Sequence, residues 1–157
     1  MEAIELLDMI ALGETSTVQF KRTMENPDKI AAELCAFANS SGGMVLFGVE
    51  DDGAVAGLEP EEVREISSRV ANIAADRIRE PVFPTSEVVK LQDKSVLVVH
   101  VPESQSKPHF DSKGRIWVKT MGDKRRVTSR EELRRIFQDA HVFYADEQVI
   151  QRSSVAD

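Results

Sequence analysis

The stretch Ala36-Phe37-Ala38-Asn39-Ser40-Ser41-Gly42-Gly43-Met44-Val45-Leu46-Phe47-Gly48-Val49-Glu50-Asp51-Asp52-Gly53 decides how this 157-residue chain is read. It opens as the end of a helix. Asn26-Pro27 reads as an N-cap followed by proline at the first helical position, and Ile30, Leu34, Phe37 and Ala38 recur as one buried stripe. Gly42 then supplies a left-handed C-cap and Gly43 lets the chain reverse, with Asn39 bonding the nearby turn. Met44 to Val49 is a short apolar run, as in a buried strand, and it enters the tight turn Glu50-Asp51-Asp52-Gly53. Ala54 to Gly57 is read as a short returning strand. This order argues against a phosphate loop, which runs from a strand into a helix N-terminus. Here the glycines follow a helix C-terminus, where the dipole is negative. Asn39, Gly42, Gly43, Gly48, Gly53 and Gly57 are therefore read as determinants of the fold.

Working outward, Ile4, Leu7 and Ile10 or Ala11 mark a short amphipathic helix over residues 2 to 12 that Gly13 stops, and Thr17 to Lys21 alternates like a strand. Pro60, among Glu59, Glu61 and Glu62, starts an acidic-ended helix with Val63, Ile66, Val70 and Ile73 at helical spacing. Pro81 and Pro84 close it. Glu87 to Leu91 and Ser95 to Val101 flank the polar turn Gln92-Asp93-Lys94 and predict an antiparallel hairpin. Arg115 to Lys119 alternates as a half-buried strand, which turns Arg115 and Lys119 away from Ile116 and Val118 and towards solvent. Thr128 with Glu131, and Ser129 with Glu132, have capping-box spacing ahead of a helix with the stripe Leu133, Ile136, Phe137 and Ala140. The pattern weakens after that. The expected organisation is one domain over residues 1–140 and a C-terminal tail over 141–157.

Charge narrows the function. A net charge of −7 argues against indiscriminate coating of nucleic acid, so any such site must be local. Between Lys113 and Arg135 nine bases stand against three acids, about +6 in a negative protein. No apolar run approaches the roughly 18 residues that span a bilayer. Met1-Glu2-Ala3-Ile4-Glu5 carries acids where a secretory signal needs bases, so a cytoplasmic protein without a membrane partner is expected. Cys35 is alone and sits in an apolar helix pattern, which reads as packing. His100, His109 and His141 lie far apart, and none has a ligand partner at helical spacing, so neither metal nor cofactor is expected. Trp117, on a half-buried strand, reads as core.

Several segments together resemble the Schlafen-type AlbA-like domain. They are Glu14-Thr15-Ser16-Thr17-Val18-Gln19-Phe20-Lys21, Ala36 to Gly43, Phe47 to Gly53 with Gly57, Val96 to Val99 with Val101-Pro102, Lys107-Pro108, Trp117-Val118-Lys119, and Ser129 to Leu133. The resemblance covers roughly residues 14 to 138. It implies an α+β fold, a mixed, largely antiparallel sheet packed with about four helices, in a DNA-binding domain of bacterial and archaeal transcriptional regulators. Some eukaryotic relatives cut RNA, and their acids map here onto Glu14, Gln19, and Asp51 or Asp52. Gln19 is an amide, so it cannot supply the negative charge with which a carboxylate draws a divalent cation from its water.

Composition and pattern alone give an α+β domain with one basic segment; the resemblance implies a nucleic-acid-binding module, with DNA favoured over RNA, in a transcriptional regulator. Lys21, Arg115, Lys119, Lys124, Arg125, Arg126, Arg130 and Arg134 are its expected phosphate contacts. Two alternatives stay open: a degenerate metal-dependent ribonuclease with no intact catalytic set, and a non-enzymatic module that self-associates as a homo-oligomer.

Overall fold

The computed structural model describes residues 1–120 and 123–138. The first layer is α1 (Ala3–Leu12), capped at Gly13, followed by β1 (Val18–Lys21). In α2 (Pro27–Asn39) the Asn26 side chain accepts the Asp28 N–H at 2.8 Å, and proline occupies the first turn, where its missing donor costs nothing. The reversal into β2 (Gly43–Phe47) is steric. Gly42 has φ +74°, its N–H donates to the Phe37 carbonyl at 2.9 Å, and a Cβ there would lie 2.7 Å from the Glu103 nitrogen. A Cβ on Gly43 would collide with the Phe37 ring.

Downstream come α3 (Pro60–Asp76), opened by a capping box between Glu59 and Glu62, then β3 (Ile78–Arg79), β4 (Thr85–Leu91) and β5 (Lys94–Val101). The β4–β5 turn is one residue tighter than expected, because Lys94 already pairs with Leu91 and Gln92 takes φ 60°. The segment from Ala54 to Gly57 is not a strand. Ala56 and Gly57 both donate to the Gly48 carbonyl, so the chain curls and leaves only the single bridge Val49–Val55.

The main sheet has the order β1-β2-β5-β4, with β1 and β2 parallel and the other two pairs antiparallel. Its strands alternate between two cores. Leu46, Val96 and Val98 pack with Leu6 and Ile10 of α1, while Val45, Phe47, Leu97 and Val99 pack with α2 and α3. This is an α+β fold with a mixed, largely antiparallel sheet and helices on both faces.

A smaller unit sits beside it. β6 (Phe110–Asp111) pairs with β3, and β7 (Trp117–Thr120) forms a hairpin with β8 (Asp123–Arg126). A fourth helix, α4, runs over residues 130–138, with Ser129 Oγ accepting the Glu132 N–H at 3.4 Å. Ile116, Val118 and Val127 pack there against Leu133 and Ile136. Phe137 of the expected stripe is 49% exposed. Ala140 and the expected tail over 141–157 lie outside the described residues.

Helix α2 departs most from expectation. Its residues from Ile30 to Asn39 are all buried, not one stripe of them, because the sheet, α3 and the β7–β8 hairpin enclose it from different sides. Asn39 likewise bonds no nearby turn. Its Oδ1 accepts the His109 N–H at 2.7 Å, and its Nδ2 donates to the His109 and Trp117 carbonyls at 3.0 Å. It ties the helix end to a loop 70 residues away.

Candidate nucleic-acid interface

The basic segment forms the β7–β8 hairpin and α4, and its charges meet different fates. In β7 the side chains alternate as expected, but both faces are covered: Val118 meets the α4 side, and Trp117 and Lys119 turn towards α2. The Lys119 side chain is 1% exposed. Its ammonium pairs with Glu33, donates to Gln19 Oε1 at 3.1 Å and lies 4.5 Å from the Phe37 ring centroid. Burial pushes its pKa down, against the pull of Glu33, and the neighbouring positive charges of Lys124 and Lys21 push the same way. The expectation that Lys119 faces solvent is therefore corrected.

Arg115 is also engaged. Its Nε donates to Asp111 at 2.8 Å, and its guanidinium lies 5.5 Å from the Trp117 ring centroid. Asp111 additionally accepts the Lys113 and Arg115 backbone N–H groups and Trp117 Nε1. Burial works against this carboxylate, yet the hydrogen bonds from Trp117, Arg115 and Lys113 hold its pKa below the ordinary aspartate value. Lys21 is buried and donates to Glu25 at 2.9 Å. Lys119 and Lys21 are held inside the protein, and Arg115 is half-buried against Asp111.

Lys124 and Arg125 occupy the middle ground. Lys124 Nζ lies 3.3 Å from Glu33, and Arg125 makes a two-pronged pair with Glu132 while its Nε donates to Thr120 at 2.9 Å. The bond from Arg125 holds the Glu132 carboxyl below its usual pKa. Arg126, Arg130 and Arg134 are exposed and make no ion pair among the described residues. Arg130 and Arg134, four apart, share one face of α4. Arg135, exposed as well, was not among the expected contacts.

Glu33 is the residue sequence reasoning missed. It is the shared counter-charge of Lys119 and Lys124, and its signal was present: one carboxylate inside the apolar run Ile30 to Ala38. A charge there needs a partner in the fold.

The mapped nuclease positions are not assembled for a metal. Gln19 Nε2 donates to Glu14 Oε1 at 2.8 Å, and the Phe20 N–H donates to the same oxygen at 2.8 Å. Asp51 is an exposed turn residue, and Asp52 accepts the Ala54 N–H at 2.9 Å. Among the described residues no group of three His, Cys, Asp or Glu side chains is placed to hold a metal ion. Cys35 is buried, with its thiol pushed up to about 12, chiefly by burial. His100, at the strand end, pairs with Glu87 at 3.3 Å. Among the described residues no helix is long and apolar enough to cross a membrane.

The family model described as Schlafen, AlbA_2 matches residues 14–128. The chain belongs to the Schlafen AlbA_2 family. Two solved structures resemble this AlbA_2 domain. One is the N-terminal domain of a protein from Nitrosomonas europaea described as related to the ATP-dependent DNA helicase RecG. It is 25% identical with a TM-score of 0.59, over 83% of this chain and 96% of that one. The other is a protein from Corynebacterium diphtheriae, 25% identical with a TM-score of 0.57, over 80% of this chain. The AlbA_2 chain spans only 29% of that longer protein.

Proposed function

We infer that this AlbA_2 domain is a cytoplasmic nucleic-acid-binding module, with DNA favoured over RNA, serving a transcriptional regulator. The observation that carries this reading is the set of exposed guanidiniums, Arg126, Arg130 and Arg134, at the junction of β8 and α4. They stand ready for phosphate in a chain whose net charge of −7 would otherwise repel it. Family membership and the helicase-related neighbour support the same reading. Lys124 and Arg125 border the site and hold its frame, so reversing Arg125 would disturb α4 as well as any ligand.

The test is fluorescence anisotropy of labelled duplex DNA, single-stranded DNA and RNA at low and physiological salt. Log affinity should fall by about 0.9 per phosphate contact for each tenfold rise in salt on duplex DNA. Arg126→Glu/Arg130→Glu/Arg134→Glu should lose more than about tenfold in affinity and keep its melting temperature. An unchanged affinity, or no binding of any probe at low salt, would sink the reading. The second reading, self-association, is favoured by Ile4, Leu7 and Leu12, which α1 leaves 69%, 51% and 80% exposed. Light scattering separates the two.

A further inference from the structure

A second site lies away from the basic segment, in a cleft of about 420 Å³ walled by Pro81, Val82, Phe83 and Pro102, with Ser104 and His109 also lining it. His109 is 3% exposed, and its ring makes two bonds. Nδ1 lies 2.6 Å from the Glu80 backbone carbonyl, and Nε2 lies 2.5 Å from Ser104 Oγ. A carbonyl oxygen can only accept, so Nδ1 carries the proton. In the neutral ring Nε2 is then the acceptor, and Ser104 must be the donor. The serine hydroxyl is thus bonded to a base whose tautomer is fixed from behind, the arrangement that activates a serine nucleophile.

Both residues are anchored at the end of α2. The Ser104 N–H donates to the Ala38 carbonyl at 2.9 Å, and Asn39 holds the backbone of His109 from both its N–H and its carbonyl. The Ser106 N–H donates to Ser104 Oγ at 2.9 Å, which fixes the hydroxyl rotor and leaves a second lone pair for attack. None of these contacts uses the nucleic-acid reading.

We propose that Ser104 and His109 are a nucleophile and general base, with the Glu80 carbonyl in the orienting position, acting on small esters whose apolar acyl group fits the cleft. Ser104 Oγ attacks the ester carbonyl carbon and forms the Oγ–C bond as its proton passes to His109 Nε2. The C–O bond to the alkoxide breaks, and Nε2 returns the proton to release an alcohol. Water then attacks the acyl carbon and gives its proton to Nε2. The Oγ–C bond breaks, Oγ takes that proton, and a carboxylic acid leaves.

The experiment treats the folded chain with a fluorescent fluorophosphonate and reads the adduct by intact mass and peptide mapping. A single adduct on Ser104 is expected, absent from Ser104→Ala and formed at least about tenfold more slowly in His109→Gln. No adduct, or one whose rate ignores His109, overturns the proposal. Should His109→Gln fail to fold, Ser104→Cys is alkylated with iodoacetamide beside glutathione. Cys35 is buried with its thiol pushed up to about 12, so alkylation reports on position 104. Alkylation clearly faster than that of glutathione supports the pair, and a rate no faster overturns it.

Discussion

The central strands of the main sheet, β2 and β5, and strand β7 are packed on two faces, yet they are built from opposite materials. The sheet sends Val45, Phe47, Leu97 and Val99 to one side and Leu46, Val96 and Val98 to the other. The hairpin sends Lys119 and Lys124 to Glu33 on one side, and Val118 on the other to the small cluster beside α4. Apolar strands are stabilised by area removed from water and tolerate many neighbours. A charged strand can be buried only where a specific counter-charge waits, since a lone desolvated ion costs several kcal/mol. The hairpin therefore leans on the single carboxylate Glu33, whereas the apolar strand β2 needs no counter-charge.

The contrast breaks first at Glu33. Glu33→Ala should leave Lys119 buried without its counter-charge and destabilise the fold by about 3–5 kcal/mol in urea unfolding. Glu33→Leu combined with Lys119→Met should recover most of that loss, because an apolar pair of similar volume needs no compensation. A single variant as stable as the parent would show that the hairpin docks without the ion pair.

Acid sharpens the comparison at Asp111, whose carboxylate holds Arg115 and Trp117 in place. Its folded-state pKa lies below the unfolded value of about 3.9, so its stabilisation is complete above that pH and is lost as pH falls through the folded value. Asp111→Asn should be less stable at neutral pH and should lack this part of the acid transition. Identical pH profiles for the two proteins would count against the assignment. The smallest effect belongs to Arg125→Ala. The Arg125–Glu132 pair is 44% and 27% exposed, and removing it should cost only about 0.5–1 kcal/mol, read as a small fall in melting temperature.

Most of the fold could be read before any coordinates. Helix α2 follows from Asn26-Pro27 and the apolar residues behind it, the reversal at Gly42 from the need for a positive φ, and the β4–β5 hairpin from its Val-rich arms. The basic segment was legible as a local positive stretch, and it does carry the exposed Arg126, Arg130 and Arg134. Burial around the hairpin was not. The alternation in β7 correctly set Lys119 opposite Val118, but alternation fixes only which side a residue faces.

The sequence by itself determined the helices, the strands β1, β2, β4, β5 and β7, their order and the sign of each charge, because helix caps, strand periodicity and turn residues act over a few neighbouring positions. Only the tertiary structure decided which charges reach water. Lys119 meets Glu33 across 86 residues of sequence, and His109 meets Glu80 across 29. Desolvation is a property of everything packed around a group, and local pattern does not carry that information.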